Sequence, residues 1–364
     1  MFIEQISDEL AIYFVLYGVS GTAVLIAAVY LLWRRGNAFA ADVTPPLRLR
    51  RWAASFFIAA ALSHVWWLFF YFFSDKILSK AHVATAVFDC TTLIVTIVGT
   101  LLAMLQDRRR PMWPVMAGLI PIVVLGAALM VSPSAFLLRI LIVYFLSAYL
   151  LFTIYMVVAV RQYGRWLCDN FADLENKRVW LSQLLIIGAM LLFTCYANDD
   201  GSLAKSIVMV SSELVLSALL LWRVETLPQL TIRKETVAKT AETIGTLDLS
   251  AIERMLDERC LTPQLYLQHD LSLQQLAYAL GTNRSYLSQY FSRQNITYNI
   301  YINNLRINHF VSRYREVVAT KQPFTVQQLA RESGYRSYST FSLAFKQRMG
   351  QSVTAWMRQA SDEV

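Results

Sequence analysis

Seven runs of apolar residues, each about as long as a bilayer is thick, fill the first 222 positions of this 364-residue chain. They lie at roughly 11–33, 53–73, 83–105, 112–131, 136–160, 179–197 and 203–222, and about 20 residues of helix suffice to cross the hydrocarbon. Even the shortest, near 179–197, holds no charged residue. Over the whole chain 56% of residues are hydrophobic and only 16% are charged, well away from the balance of a water-soluble protein. A single soluble helical core does not accommodate so many uninterrupted runs. The expected fold is all-α, with a seven-transmembrane-helix bundle over residues 1–222.

The charges between the runs orient that bundle. Arg34, Arg35, Arg48, Arg50, Arg51, Arg108, Arg109, Arg110, Arg161, Arg165, Lys177 and Arg178 fall in alternate loops, whereas the others hold Lys76, Lys80 and Lys205, with Arg139 just inside the fifth run. The basic loops belong on the cytoplasmic side. The N-terminus, with Glu4, Asp8 and Glu9, is then outside and the C-terminus inside. Ala38-Phe39-Ala40 resembles a leader cleavage site, but Arg34 and Arg35 follow the first run instead of preceding it, so a retained span is expected. The outer loops, near 74–82, 132–135 and 198–202, are too short for a sensing domain. A signal must enter the bundle, come through the lipid bilayer, or arrive with a membrane-protein partner. Trp66, Trp67, Phe69, Phe70, Tyr71, Phe72 and Phe73 read as an interface belt, or as the wall of a hydrophobic ligand cleft.

Three ionisable side chains interrupt the runs. By the helical rise, His64 lies roughly 17 Å and Glu213 roughly 15 Å from the ends of their runs, with Asp89 roughly 9 Å deep. Such groups are costly in hydrocarbon and should face the bundle interior. They read either as a site sensing a small molecule or a proton, or as a polar clamp that fixes helix packing. A retinal-type receptor would need a lysine in mid-membrane, and Lys205 stands at the edge of its run. The basic loop 161–182 also holds Asp169, Asp173 and Glu175. It reads as a solvated connection, or as a helix docking on a basic partner.

Beyond residue 222 the character changes. Residues 223–248 are polar, with Pro228 and Gly245 as breakers, and read as a linker. Ser250 and Glu253 have capping-box spacing at the start of a short helix. From Leu271 a pattern occurs twice: Ser272-Leu-Gln-Gln-Leu-Ala277 with Gly281, then Thr325-Val-Gln-Gln-Leu-Ala330 with Gly334, offset by 53 throughout. A small Ala followed four residues later by a Gly suits two helices meeting at a tight turn. Leu287 supplies the expected core residue six positions after the first Gly; in the second copy Thr340 stands there, with Phe341 beside it. Ser272 with Gln275 and Thr325 with Gln328 again have capping-box spacing. Residues 271–360 carry 11 Lys and Arg against two acids, whereas 224–270 carry five against eight. The basic excess therefore sits on the repeated pattern, as phosphate binding requires.

These residues resemble the DNA-binding domain of the AraC/XylS family of bacterial transcription regulators. The likeness rests on Leu276-Ala277, Gly281, Ser285-Tyr286-Leu287-Ser288 and Phe291; on Tyr301-Ile-Asn-Asn-Leu-Arg306; and on Leu329-Ala330, Gly334-Tyr335, Phe341, Phe345-Lys346 and Gly350. Asn295, Phe310 and Val353 stand where that family usually has Gly, Ala and Pro. The resemblance implies two helix-turn-helix units, about 272–293 and 325–348, joined by a helix at about 298–316, within a domain spanning 249–364. It also implies double-stranded DNA as partner and major-groove segments about 34 Å apart as the target. Together with the apolar runs and their basic loops, the expected location is a bacterial inner (cytoplasmic) membrane. The N-terminal part of each second helix would read the groove. In the first unit this selects Asn283, Arg284, Ser285, Tyr286 and Gln289, and in the second Arg336, Ser337, Tyr338, Ser339, Ser342 and Lys346. Arg pairs with guanine and Asn or Gln with adenine, while Lys346 suits a phosphate.

The expected protein is a membrane-tethered, one-component transcription regulator, with a homodimer compatible with paired DNA sites. The alternative is a transporter or receptor whose C-terminal domain is a regulatory or protein-interaction module. No metal spacing, nucleophile elbow or phosphate loop suggests an enzyme, a metal or a cofactor, and Cys90, Cys168, Cys195 and Cys260 share no spacing.

Overall fold

The computed structural model describes residues 8–34, 37–41, 43–72, 78–175, 177–196, 203–230 and 249–362. Among them the chain is helical, with a single antiparallel bridge between Phe171 and Ser272 and no strand. It divides into two compact units. One contains residues 1–163 and 179–230, the other residues 164–178 and 231–364.

The first unit is built from α1 (Asp8–Trp33), α2 (Leu47–Phe72), α3 (Leu78–Met104), α4 (Trp113–Val131), most of α5 (Ala135–Asn170), α6 (Trp180–Tyr196) and α7 (Leu203–Thr226). Each apolar run falls on one helix. Five are long and apolar enough to cross a membrane: α1, α3, α4, α5 and α7. Of the other two, the described side chains of α2 stop at Leu68 and the described backbone of α6 stops at Tyr196. α2 starts early, so Arg48, Arg50 and Arg51 lie in its first turns. α6 has 17 residues, about 26 Å of rise. Many large apolar side chains point away from the protein: Val15, Ile26, Ile120, Phe136, Val143 and Leu151 are all more than half exposed.

Helices α1, α2, α3 and α7 pack as neighbours. A Cβ on Gly99 would lie 2.3 Å from the Trp52 ring, so a bare glycine lets α2 and α3 approach, as small residues do between membrane helices. One end of the unit is tied by polar contacts. Arg50 Nε donates to the Leu31 carbonyl (2.6 Å), and the Ala38 amide donates to the Glu225 carboxylate (2.8 Å). The Gln106 side chain donates to the Pro228 carbonyl (3.0 Å) and accepts from the Leu230 amide (2.8 Å). Residues 223–230, read from sequence as the opening of a linker, thus complete α7 and pack back on this unit. The rest of that linker, 231–248, lies outside the described residues, as do Glu4, residues 74–77 of the 74–82 loop (Lys76 among them) and the 198–202 loop. The side chains of Phe69, Phe70, Tyr71, Phe72, Phe73 and Cys195 also lie outside them.

The second unit contains α8 (Leu249–Leu256), α9 (Leu273–Leu280), α10 (Arg284–Arg293), α11 (Tyr298–Ala319), α12 (Val326–Glu332), α13 (Tyr338–Met349) and α14 (Val353–Asp362). Local chemistry sets these boundaries. Ser272 and Gln275 form a complete capping box, whereas at Thr325 only half forms, because the Gln328 amide turns to Glu332 (2.9 Å). Gly281, Gly334 and Gly350 take positive φ at helix ends, where side chains are penalised. One apolar cluster surrounds Leu276, Leu287, Phe291 and Ile302, a second surrounds Phe310, Leu329, Phe341 and Phe345, and α11 contributes to both.

The three departures from the family pattern have structural accounts. Asn295 adopts φ 52°, a conformation that asparagine tolerates better than other side chains. Phe310 is fully buried and meets Phe341 at 4.5 Å and Phe345 at 5.7 Å between ring centroids. Val353 begins α14, a position where proline is merely favoured.

Gly334 and Gly350 provide a matched test. A Cβ on Gly334 would lie 2.8 Å from the Leu267 carbonyl oxygen, whereas on Gly350 it would meet nothing within 4 Å. Gly350→Ala should cost only the left-handed penalty of roughly 1–2 kcal/mol. Gly334→Ala should cost clearly more, read as loss of amide hydrogen-exchange protection along α11. Equal losses would mean that the Leu267 contact carries no weight.

Candidate nucleic-acid interface

Each unit of the repeat ends on a helix whose N-terminus is fixed by a polar cap. The Asn283 side chain accepts from the Tyr286 amide (2.9 Å), and Ser337 accepts from Thr340 (3.3 Å). The caps follow Gly281 by two residues and Gly334 by three. The second turn is one residue longer, so the 53-residue offset becomes 54 along α10 and α13. Leu287 and Phe341 then both lie four residues past their caps, and both are fully buried. The mismatch at Thr340 disappears.

That extra residue changes the register of the candidate readers. Arg336 precedes the cap of α13 and stands 3.7 Å from Asp270, with both side chains largely exposed. Tyr338 takes the place equivalent to Arg284, and Leu343 the place of Gln289. Ser285, Gln289, Arg336, Tyr338, Ser339 and Lys346 are exposed, whereas Asn283, Arg284, Tyr286, Ser337 and Ser342 are partly buried. Asn283 and Ser337 are occupied as caps, so they position their helices. Leu343, half exposed, escaped the sequence reading because the 53-residue offset matched Gln289 to Ser342.

A segment distant in sequence lies on these helix ends. Residues 164–178 belong to the same compact unit, so of the two sequence readings the contacts fit a docked segment. Asn170 Oδ1 accepts from Arg284 Nε (2.7 Å). The Glu175 carboxylate accepts from the hydroxyls of Ser337 and Thr340, the latter at 2.9 Å. From α11, Asn299 Nδ2 donates to the carbonyls of Phe171 (3.2 Å) and Ala172 (2.6 Å), and Asn303 Nδ2 donates to Ala172 (3.3 Å). Ala172 joins the first apolar cluster. Burial pushes the Arg284 guanidinium below its ordinary range, opposed by the charge of Asp169.

In the first unit His64 and Glu213 meet, with Nε2 and Oε2 3.4 Å apart. His64 Nδ1 donates to the Ala60 carbonyl (2.9 Å), so its other nitrogen faces the acid. Tyr17 covers the ring at 4.7 Å between centroids and donates to the His64 carbonyl (2.7 Å). Asp89 makes a separate set of contacts, accepting from Ser63 (2.7 Å) and Trp67 Nε1 (3.1 Å). Two of the three intramembrane candidates are therefore paired directly.

Two capped helices in paired helix-turn-helix units, on a basic domain, have the arrangement of a DNA-binding domain. Residues 276–359 match the family model of the AraC-type helix-turn-helix domain. No curated protein and no solved structure matches the chain.

The pair in the first unit makes a direct prediction. Glu213→Ala leaves His64 Nε2 facing an empty site and should cost on the order of 3 kcal/mol. Glu213→Gln keeps a hydrogen-bonding partner and should cost less. Thermal unfolding in lipid nanodiscs measures both, and equal midpoints for the two variants would remove any role for the contact in packing.

Proposed function

We propose that this protein is a membrane-tethered, one-component transcription regulator of a bacterial inner membrane. On this reading α1–α7 form a seven-span bundle with the N-terminus outside, and the helix-turn-helix domain works in the cytoplasm. The observation that carries it is the joining, in one chain, of an AraC-type DNA-binding region to helices whose large apolar side chains face outward. Such exposed surfaces suit lipid and are adverse in water. The charge distribution supports the same orientation, since the basic loops alternate with loops nearly free of Lys and Arg.

The signal acts on the bundle, and the pairing of His64 with Glu213 makes a proton or a polar small molecule a reasonable ligand class. Two copies binding as a homodimer would reach paired DNA sites. Within the domain, Gln289 and Leu343 occupy equivalent exposed positions of the reading helices. Gln289 suits an adenine edge and Leu343 a thymine methyl, while Lys346 suits a phosphate.

Genome-wide occupancy of the full-length, membrane-inserted protein tests this reading. Sharp peaks at particular promoters are expected, and occupancy no different from random DNA would refute it. On an occupied site, Gln289→Ala should cost about 1–3 kcal/mol and relax one base position. Lys346→Ala should weaken all sequences alike and lower the salt slope by about 1. Identical behaviour of the two variants would overturn the assignment of Gln289 as a base reader.

A further inference from the structure

We propose that residues 169–175 act as an internal competitor for DNA, holding the reading helices in a docked, inactive state until the bundle withdraws them. The proposal rests on the reading of α10 and α13 as the DNA-binding helices. Asp169-Asn-Phe-Ala-Asp-Leu-Glu175 carries three acids and no base, and it lies on the domain that holds the chain's basic excess.

The contacts fall where DNA is expected. Glu175 takes the two hydroxyls at the N-terminus of α13, a position that favours a phosphate for the same reason it favours a carboxylate. Asn170, only 3% exposed, takes the Nε of Arg284, the first residue of α10. One short segment thus engages both reading helices. Its backbone is gripped from below by Asn299 and Asn303, one turn apart on α11, and Phe171 bridges to Ser272. A phosphate arriving at α13 must displace Glu175, and a base edge addressed by Arg284 must displace Asn170.

Tethering makes the competitor effective. An intramolecular segment competes at an effective concentration near millimolar, and apparent DNA affinity falls in proportion to the fraction of domains left free. The segment lies in sequence between the fifth and sixth apolar runs. Any change in the spacing of those two helix ends reaches it through peptide bonds.

The test uses the full-length chain in phosphatidylethanolamine–phosphatidylglycerol nanodiscs, with a duplex enriched from a random library by the N170A/E175Q variant. Binding is compared with a scrambled duplex at fixed salt. N170A/E175Q should bind the enriched duplex at least tenfold tighter than the unmodified chain. N170A alone, which changes no charge, should show part of that gain. A second form, F171C/S272C with Cys168→Ser, joins two residues that face each other across the bridge. Oxidised, it should lose specific binding, and reductant should restore it. Affinity unchanged by the substitutions, or by the cross-link, overturns the competitor while leaving DNA binding intact. A gain confined to E175Q and equal on scrambled DNA also overturns it, as plain charge repulsion. If no folded form enriches any sequence, the DNA-binding reading fails and the competitor fails with it.

Discussion

One buried guanidinium holds the two reading helices in a common frame. Arg306, in the middle of α11, is 1% exposed. Its Nε donates to the Tyr266 carbonyl (2.8 Å), and Nη2 donates to the carbonyls of Gln268 (2.7 Å) and His269 (3.3 Å). Those carbonyls belong to the chain that leads into the first helix-turn-helix unit. On its other side the guanidinium lies 5.5 Å from the ring centroid of Tyr335, in the turn of the second unit. Burial lowers its pKa, and the rings of Tyr335 and Tyr298 with the carboxylates of Asp173 and Asp270 oppose the shift. A charge this deep is tolerable only when its donors are used, and the Gly334 turn is shaped to permit it. A Cβ on that glycine would lie 3.0 Å from Arg306 Nε. The spacing between α10 and α13 therefore depends on a buried arginine that ties the lead-in of the first unit to the turn of the second.

The parts of this design that were legible in the sequence are those fixed by neighbours along the chain. Ser272 with Gln275, and the glycines at 281 and 334, announce helix boundaries because capping and positive φ act over a few residues. The register of α13 was not legible. Matching glycine to glycine assumes turns of equal length, and the added residue before Ser337 moved Arg336 out of the helix and brought Leu343 onto the reading face. Phe310 read as a departure because its compensation, the tilted and edge-on ring contacts with Phe341 and Phe345, lies more than 30 positions away. The same limit hid the early start of α2 and the extension of α5 to Asn170. Basic residues ended the apolar runs on paper, but Arg and Lys are good helix formers and do not end a helix.

The docking of residues 164–178 was undecidable from sequence for a related reason. The segment mixes acids, bases and asparagine, as a solvated loop does, and its partners are a guanidinium, amides and hydroxyls 114 to 165 residues away. Only the folded domain reveals that Asn299 and Asn303 present two donors in line with the Phe171 and Ala172 carbonyls. The pairing of His64 with Glu213 was half legible. Depth along separate helices put both near mid-membrane, but which helices are adjacent is set by packing, including the bare Gly21 whose Cβ would lie 3.2 Å from the His64 ring.

The strength of the docked contact bears on whether it serves as a switch. A net gain of roughly 0.5–1.5 kcal/mol for each intramolecular hydrogen bond gives the six at Arg284, Asn299, Asn303, Ser337 and Thr340 a total of about 3–9 kcal/mol. Only the lower end of that range meets ordinary coupling energies between sites, about 1–3 kcal/mol. A contact held by a large apolar interface would be too strong for a helix displacement to break, and one held by a single exposed ion pair would be too weak to occlude DNA. Between residues 169 and 175 the segment buries two apolar side chains, Ala172 and Leu174, and adds polar contacts that water can replace.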